Sequence, residues 1–296
     1  MIKLIIILLL FIMPIKSYAE TTLRMASWLP PKHPWVLDIM IPWIENVKIA
    51  TNGRVNIQLL SSSIGPPPAH FNFAVNGIAD ITYGVHNYTA GRFSSTQIAE
   101  LPFLSDSSEI LSVAWQRIYE QELLHLEEHK GTHLLGVFTH GPGQLWFNRK
   151  YEDLEDIKGL KVRIGGGIAQ SSAKALSLVP LQAPVTKAYE LLSGGVADGI
   201  QLPGESISFF KLDRIIKQGF IFDGGLYNVS MFLVINKKKW NKLSQEDKVA
   251  INSVSGEFLA KMAGKKRATP KKSHNGGGTK YTHGKDDMWM WACSPR

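Results

Sequence analysis

Gly159-Leu160-Lys161-Val162-Arg163-Ile164-Gly165, followed by Gly166 and Gly167, is the stretch around which the rest of this chain is organised. A polar turn (Asp153-Leu154-Glu155-Asp156-Ile157-Lys158) precedes it and an amphipathic helix follows. Between them lies a brief strand ending at Arg163. An arginine at a strand end, beside a glycine-rich strand-to-helix turn, suits the grip of a planar anion. Its guanidinium offers paired donors that match a carboxylate and stays charged at any working pH. A surface arginine capping a strand is the competing account of the same spacing.

Outward from that stretch, strands alternate with helices. Strands are expected at 23–27, 55–59, 81–83, 134–138, 145–148, 220–223 and 230–236. Apolar spacing near 3.6 predicts helices over 34–50, 69–76 and 205–212. A long helix is expected from 105 to about 129, with Glu109 placed for a capping box on Asp106, and a last helix over 243–264. Asn76-Gly77-Ile78-Ala79-Asp80 is echoed by Gly194-Gly195-Val196-Ala197-Asp198, each at a helix end just before a strand. The glycine permits a left-handed cap, the aspartate can tie the turn's amides, and the repeat hints at two similarly built lobes.

The ends read differently from the body. Met1-Ile2-Lys3, an apolar run to Ile15 and Ser17-Tyr18-Ala19 predict an export signal cut after Ala19, which places the mature protein outside the cytoplasm. The net charge of +8 is confined to the two ends: Lys3 and Lys16 at the start, and eight Lys or Arg against Asp286 and Asp287 in the tail from Lys265. The neutral body argues against nucleic acid. The single cysteine, Cys293, lies in that tail, so the body folds without an internal disulfide. Residues 265–296 are basic, contain Gly276-Gly277-Gly278 and show no helical or strand period; disorder is expected there.

His125-Leu126-Glu127-Glu128-His129 fits a zinc-peptidase pattern, and a zinc-dependent hydrolase is the alternative function it raises. A solvated helix end accounts for the same residues, and no third carboxylate ligand follows. The triplet Gly165-Gly166-Gly167 lacks the Gly-Lys-Ser/Thr of a nucleotide loop. Its expected use is to let amides at a helix N-terminus approach an anion held by Arg163. No nucleophile is paired with a histidine, so neither catalysis nor a cofactor is expected. Trp28, His86, Tyr88, Phe138, Asn148, Arg163, Gln201 and Asn228 all fall at or just past a predicted strand's carboxyl end, where open α/β sheets bind ligands. Packing for Trp28 and Phe138, loop stabilisation for His86 and Tyr88, and local backbone bonding for Asn148, Gln201 and Asn228 are the competing roles.

Several short motifs together resemble the solute-binding proteins of tripartite ATP-independent periplasmic (TRAP) transporters. They are Leu23-Arg24-Met25-Ala26-Ser27-Trp28-Leu29-Pro30-Pro31, Ile78-Ala79-Asp80-Ile81, Gly91-Arg92-Phe93 and Glu100-Leu101-Pro102-Phe103. Further along come Lys158-Gly159-Leu160-Lys161-Val162-Arg163, Val196-Ala197-Asp198-Gly199, Leu226-Tyr227-Asn228 and Trp240-Asn241-Lys242-Leu243. The resemblance implies an α/β, two-lobed periplasmic binding protein fold with discontinuous domains and a ligand cleft between them. Residues 20–140 with 227–264 would form one lobe and 141–226 the other. It implies a monomeric periplasmic protein, not an enzyme, that hands a small carboxylate to membrane permease subunits; a sensory binding protein is the variant role. Arg163 would pair the ligand carboxylate, with support from His86, Gln201 and Asn228. Two departures bear on the ligand. Gly143 stands where sialic-acid-binding relatives carry a second arginine, and Gln201-Leu202-Pro203 replaces Glu-Asn-Pro, so a smaller, less polar monocarboxylate is expected. The tail is a third departure, since relatives would continue past Gly264 with more helix.

Overall fold

Two sheets are built in turn along the chain, as a computed structural model describing residues 20–265 and the backbone of 280–283 shows. The leader (1–19) and the other tail residues lie outside the described residues. The chain opens with β1 (Thr21–Ala26) and a helix over the predicted span, in which a π-type turn at Val36–Met40 runs into α1 (Ile41–Ala50). Next come β2 (Val55–Leu59), α2 (His70–Asn76), β3 (Ile81–Val85), 3-10 turns at His86–Tyr88 and Ser95–Glu100, α3 (Ser108–Ile118) and β4 (Thr132–Thr139). The chain then builds β5 (Gly143–Phe147), β6 (Lys161–Ile164), α4 (Ile168–Ala175), β7 (Val179–Gln182), α5 (Ala188–Ser193), β8 (Gly199–Pro203), α6 (Ser206–Phe209) and β9 (Gln218–Ile221). β10 (Ser230–Asn236) returns to the first sheet, and α7 (Lys237–Lys242), α8 (Gln245–Ser253) and α9 (Gly256–Lys265) follow.

The first sheet has the order β2-β1-β3-β10-β4, with β1 parallel to both neighbours and β10 antiparallel to both of its own. Every residue of β10 is buried, as expected of a strand covered on both faces. The second sheet is β11-β9-β5-β8-β6-β7, its outer strand β11 (Lys280–His283) paired in parallel with β9. That strand departs from the expectation of a tail without regular structure. α9 packs on α3 and β4, so the last described helix braces the first lobe.

The sequence echo has a structural counterpart. Gly77 and Gly195 both sit at positive φ (71° and 69°). In each lobe the aspartate accepts the amide of the neighbouring strand, Arg24 N to Asp80 Oδ2 at 2.8 Å and Lys161 N to Asp198 Oδ2 at 2.9 Å. The same aspartates' own amides return to the Arg24 and Lys161 carbonyls. Each thus locks a helix end to a neighbouring strand, midway along β1 and at the start of β6, rather than tying its own turn.

The long helix expected over 105–129 is shorter and capped elsewhere. Ser107, not Asp106, is its cap, accepting Ile110 N at 3.2 Å, while Asp106 accepts Gly224 N at 2.6 Å. The helix passes through a π turn and a 3-10 turn and stops at Glu127, whose φ is 52°. This break separates the histidine-rich pattern. Glu128 turns back to bond Ser95 through N (2.9 Å) and Oγ (2.6 Å), and His129 enters the core. His125, Glu128 and His129 therefore share no metal-facing side, and among the described residues no cluster of three or more His, Cys, Asp or Glu is placed to hold a metal.

His129 meets His86 in that core, Nε2 to Nε2 at 3.0 Å, while Tyr119 Oη lies 2.7 Å from His129 Nδ1. Phe71, Phe93 and Phe232 surround the pair. Burial pushes His86 down to about 3, against a weaker opposing contribution from the Ser230 backbone, and pushes His129 well below the usual range. Both rings are neutral, and loop stabilisation is the role the structure gives His86. Phe138 is likewise core, its ring 5.0 Å from Trp35.

Replacing Asp80 with alanine orphans the Arg24 amide and leaves Lys239, 3.3 Å from the carboxylate, without its partner. A loss of about 2 kcal/mol is expected, or roughly 4–8 °C in a thermal melt. The histidine pair sets a pH signature. Because both pKa values lie below the unfolded value, their contribution is complete above about pH 6.5 and is lost as the pH falls, at about 1.4 kcal/mol per unit and per ring. Their imidazole NMR signals should remain those of the neutral form at pH 5; protonated signals there would contradict the buried pair.

Candidate ligand-binding cleft

β1, β3, β6 and β8 all end at the space between the lobes, where an α/β sheet offers side chains and unpaired amides to a ligand. A cavity of about 70 Å³ occupies this seam. By the same measure one water needs roughly 10–15 Å³, so the space suits a small molecule. Trp28 and Leu29 follow β1, Val85, Asn87 and Tyr88 end or follow β3, and Val229 and Met231 alternate along the entry to β10. From the second lobe come Arg163 and Gly165 at the end of β6, Val185, Leu202 and Pro203 at the end of β8, and Ser206 and Phe210 around α6.

Arg163 is only 2% exposed. Its Nε and Nη2 donate to the Ala183 carbonyl at 2.9 and 2.6 Å, and Nη2 lies 3.5 Å from the Tyr88 hydroxyl. Among the described residues it forms no salt bridge. A buried cation held by neutral dipoles alone has lost hydration that an anion can restore. Tyr88 also accepts the Val185 amide at 3.0 Å, so one lobe's phenol orients the other lobe's guanidinium and seals the seam. His33 completes the closure against Phe209 and Phe210, at ring separations of 5.2 and 5.7 Å.

Gly167 permits this approach, while Gly166 makes room for Gln182 within its own lobe. A Cβ on Gly167 would lie 2.4 Å from the Asn87 amide, one on Gly166 2.7 Å from Gln182, and one on Gly165 3.9 Å from Tyr88. The helix terminus behind the triplet was expected to face an anion held by Arg163. Instead the Ile168 amide faces the buried Glu100 carboxylate of the opposite lobe.

Of the eight residues nominated from sequence, Arg163, Trp28 and Tyr88 meet in the cavity wall. Gln201 is turned by strand alternation towards α4, where its Nε2 donates to Ser172 Oγ at 3.2 Å, and Leu202 faces the cavity instead. Asn228 is turned the same way: its amide nitrogen serves the carbonyls of His140 (3.2 Å) and Gly141 (3.3 Å), while Tyr227 and Val229 reach the cavity. Asn148 lies at the far end, because β5 runs antiparallel to β8 and only its start, Gly143, reaches the cleft side. Asn148 N donates to the Asp198 carbonyl there. Phe138 is the core residue described above, and His86, although buried, also lines a second cavity across the seam with Asn87, Gly167 and Gln182. Period-two alternation through residues 227, 229 and 231 is the signal that would have found Tyr227, Val229 and Met231. His140, Ser206 and Phe210 carry no comparable mark.

Gly143 also has a physical reason. A Cβ there would fall 2.0 Å from the Tyr227 ring, which fills the space a longer side chain would need. Burial pushes the Tyr227 phenol up, so the wall beside Arg163 stays neutral.

Residues 25–275 match the model of the bacterial extracellular solute-binding proteins, family 7 (DctP). A TRAP periplasmic solute-binding protein from Bordetella bronchiseptica, solved with bound (R)- and (S)-mandelate, is 39% identical, with a TM-score of 0.87 over 92% of this chain and 88% of its own. A marine-metagenome TRAP solute-binding protein described as specific for aromatic acid ligands, in complex with 3-hydroxybenzoate, is 30% identical (TM-score 0.78; 83% and 78% covered). One from Rhodoferax ferrireducens, with copurified benzoate, is 26% identical (TM-score 0.77; 84% and 80% covered). Among the described residues no helix is long and apolar enough to cross a membrane. The two-lobed fold, the cleft at the strand ends and these matches agree: this chain belongs to the family 7 extracellular solute-binding proteins, the binding components of TRAP transport.

Proposed function

We propose that this protein captures a small monocarboxylate with a mainly apolar, single-ring body and delivers it to the membrane subunits of a TRAP transporter. The observation that carries this reading is Arg163, buried and without a carboxylate partner among the described residues. The ligand carboxylate would take that place, in a site where water no longer screens the pair. Trp28, Val85, Leu202, Phe210, Val229 and Met231 supply apolar walls for the ring. Tyr88 holds the guanidinium, and Leu202 and Gly143 stand where a larger polyhydroxylated acid would require polar side chains. The aromatic acids bound by the three solved relatives support the same ligand class. The lobes, 20–140 with 227–264 and 141–226, would open and close about the crossing strands, in a protein exported by cleavage after Ala19.

A thermal-unfolding panel of benzoate, mandelate and 3-hydroxybenzoate tests the ligand class. Any of them at about a hundred times its dissociation constant should add roughly 2.7 kcal/mol, a rise of roughly 5–10 °C. Arg163→Ala should abolish that rise, and Arg163→Lys should restore little, because a point charge lacks the paired donors. A panel in which sialic acid or a dicarboxylate binds and the aryl acids do not would overturn the reading. Gly167→Ala tests closure separately. With φ at 59° and a Cβ driven into Asn87, the variant should fold but bind at least tenfold more weakly, and small-angle scattering with ligand should still report an open shape.

A further inference from the structure

Glu100 is fully buried, and it is the acidic group that faces the opposite lobe's helix terminus. One carboxylate oxygen accepts the Ser230 amide at 3.1 Å, at the start of the crossing strand β10. The other accepts the Asn87 side-chain amide, which itself rests on Gly167. The Ile168 amide, first in α4, faces the same group from the second lobe. No Lys, Arg or His forms a salt bridge with it among the described residues. Two elements of the first lobe and the first turn of α4 from the second therefore converge on one carboxylate that has no cationic partner among the described residues.

We propose that Glu100 is a proton-linked positioning residue: closing the cleft over its ligand transfers one proton from solvent to the Glu100 carboxylate, so capture tightens as the pH falls. Withdrawal of α4 and Gly167 on opening would hydrate the carboxylate and favour its charge. Their return removes that water, and burial without a cation favours the protonated form. The ligand acts in the same direction. Tyr227 lies within electrostatic reach of both Arg163 and Glu100, so a second carboxylate at Arg163 adds a like charge to the same neighbourhood. This inference rests on the cleft being an acid-binding site.

Burial raises Glu100 to about 7 in the closed form, despite the opposing contributions of Asn87, Ser230 and Ile168. A group raised in the closed state favours closure below its open-state value and loses that contribution as the pH climbs through about 7. The other ionisable groups around it are Tyr88 and His86 on the 86–88 turn, Tyr227 beside β10, Arg163 on β6, Glu205 just before α6, and His140 and His33 at the cavity wall. The His86 ring is neutral throughout the range concerned. His140 and His33 make a variant comparison necessary.

The experiment is calorimetric titration of the full chain with mandelate and benzoate from pH 6 to pH 8, where both acids are ionised, in two buffers of different ionisation enthalpy. Wild type should bind about tenfold more tightly at pH 6 than at pH 8, taking up close to one proton at pH 6 and almost none at pH 8. Glu100→Gln should flatten the profile and abolish the uptake. Affinity that is independent of pH, proton release, or an unchanged profile in Glu100→Gln would overturn the proposal. If neither acid binds at any pH, the ligand reading fails instead. The proton count is then taken with whichever acid of a wider carboxylate panel binds, and pH-independent affinity or proton release there would overturn the proposal. Failure of the variant to fold leaves the wild-type proton count decisive.

Discussion

A buried guanidinium held only by neutral groups is the constraint on which the rest of this structure depends. The Ala183 carbonyl and the Tyr88 hydroxyl fix the orientation of Arg163 but do not neutralise it. Such an arrangement is costly in an empty, dry site and is relieved by an anion of matching geometry. Most features of the cleft would serve the proposed pairing. The apolar wall lowers the local dielectric, Tyr88 reaches across the seam to hold the donors in place, and Gly167 lets Asn87 of the other lobe come close.

The lobes that carry this seam share one piece of construction. A left-handed glycine ends a helix, and an aspartate three residues later pins that end to the amide of a neighbouring strand. The device fixes β1 and β6 against a helix end in each lobe, and their carboxyl ends place Trp28 and Arg163 at the same cavity. β10 then couples the lobes mechanically, because it enters the middle of the first sheet directly after Tyr227 has packed against Gly143. Tyr227, in the cavity wall, thus adjoins the crossing segment in the chain. The ring of Tyr227 removes room for a second cationic side chain and also seats the crossing segment.

Element types were largely legible because each depends on local pattern. The helix over 34–50, the strands at 55–59 and 230–236, and the paired Gly–Asp turns all have a periodicity or a backbone requirement carried by neighbouring residues. Where the local signal was composite, it misled. Apolar spacing ran through Glu127 although the chain turns left-handed there, and Asp106 looked like a cap while its carboxylate was committed to Gly224 on the far side of the hinge.

The site was legible to within one residue at several points, and that margin decided the outcome. On a strand, one position changes the face, so Leu202 replaced Gln201 and Tyr227 replaced Asn228 at the cavity. Strand direction removed Asn148, since an antiparallel strand ends at the opposite edge of the sheet. A histidine beside the cleft in sequence, His86, found its partner 43 residues later in His129. By itself the sequence determined the α/β alternation, the family and the arginine at the end of β6, because these follow from periodicity and from local motifs. Only the tertiary structure decided which side chains surround that arginine and that Glu100 meets the opposite lobe. Both outcomes depend on how two separately built sheets face each other, and no local pattern encodes that.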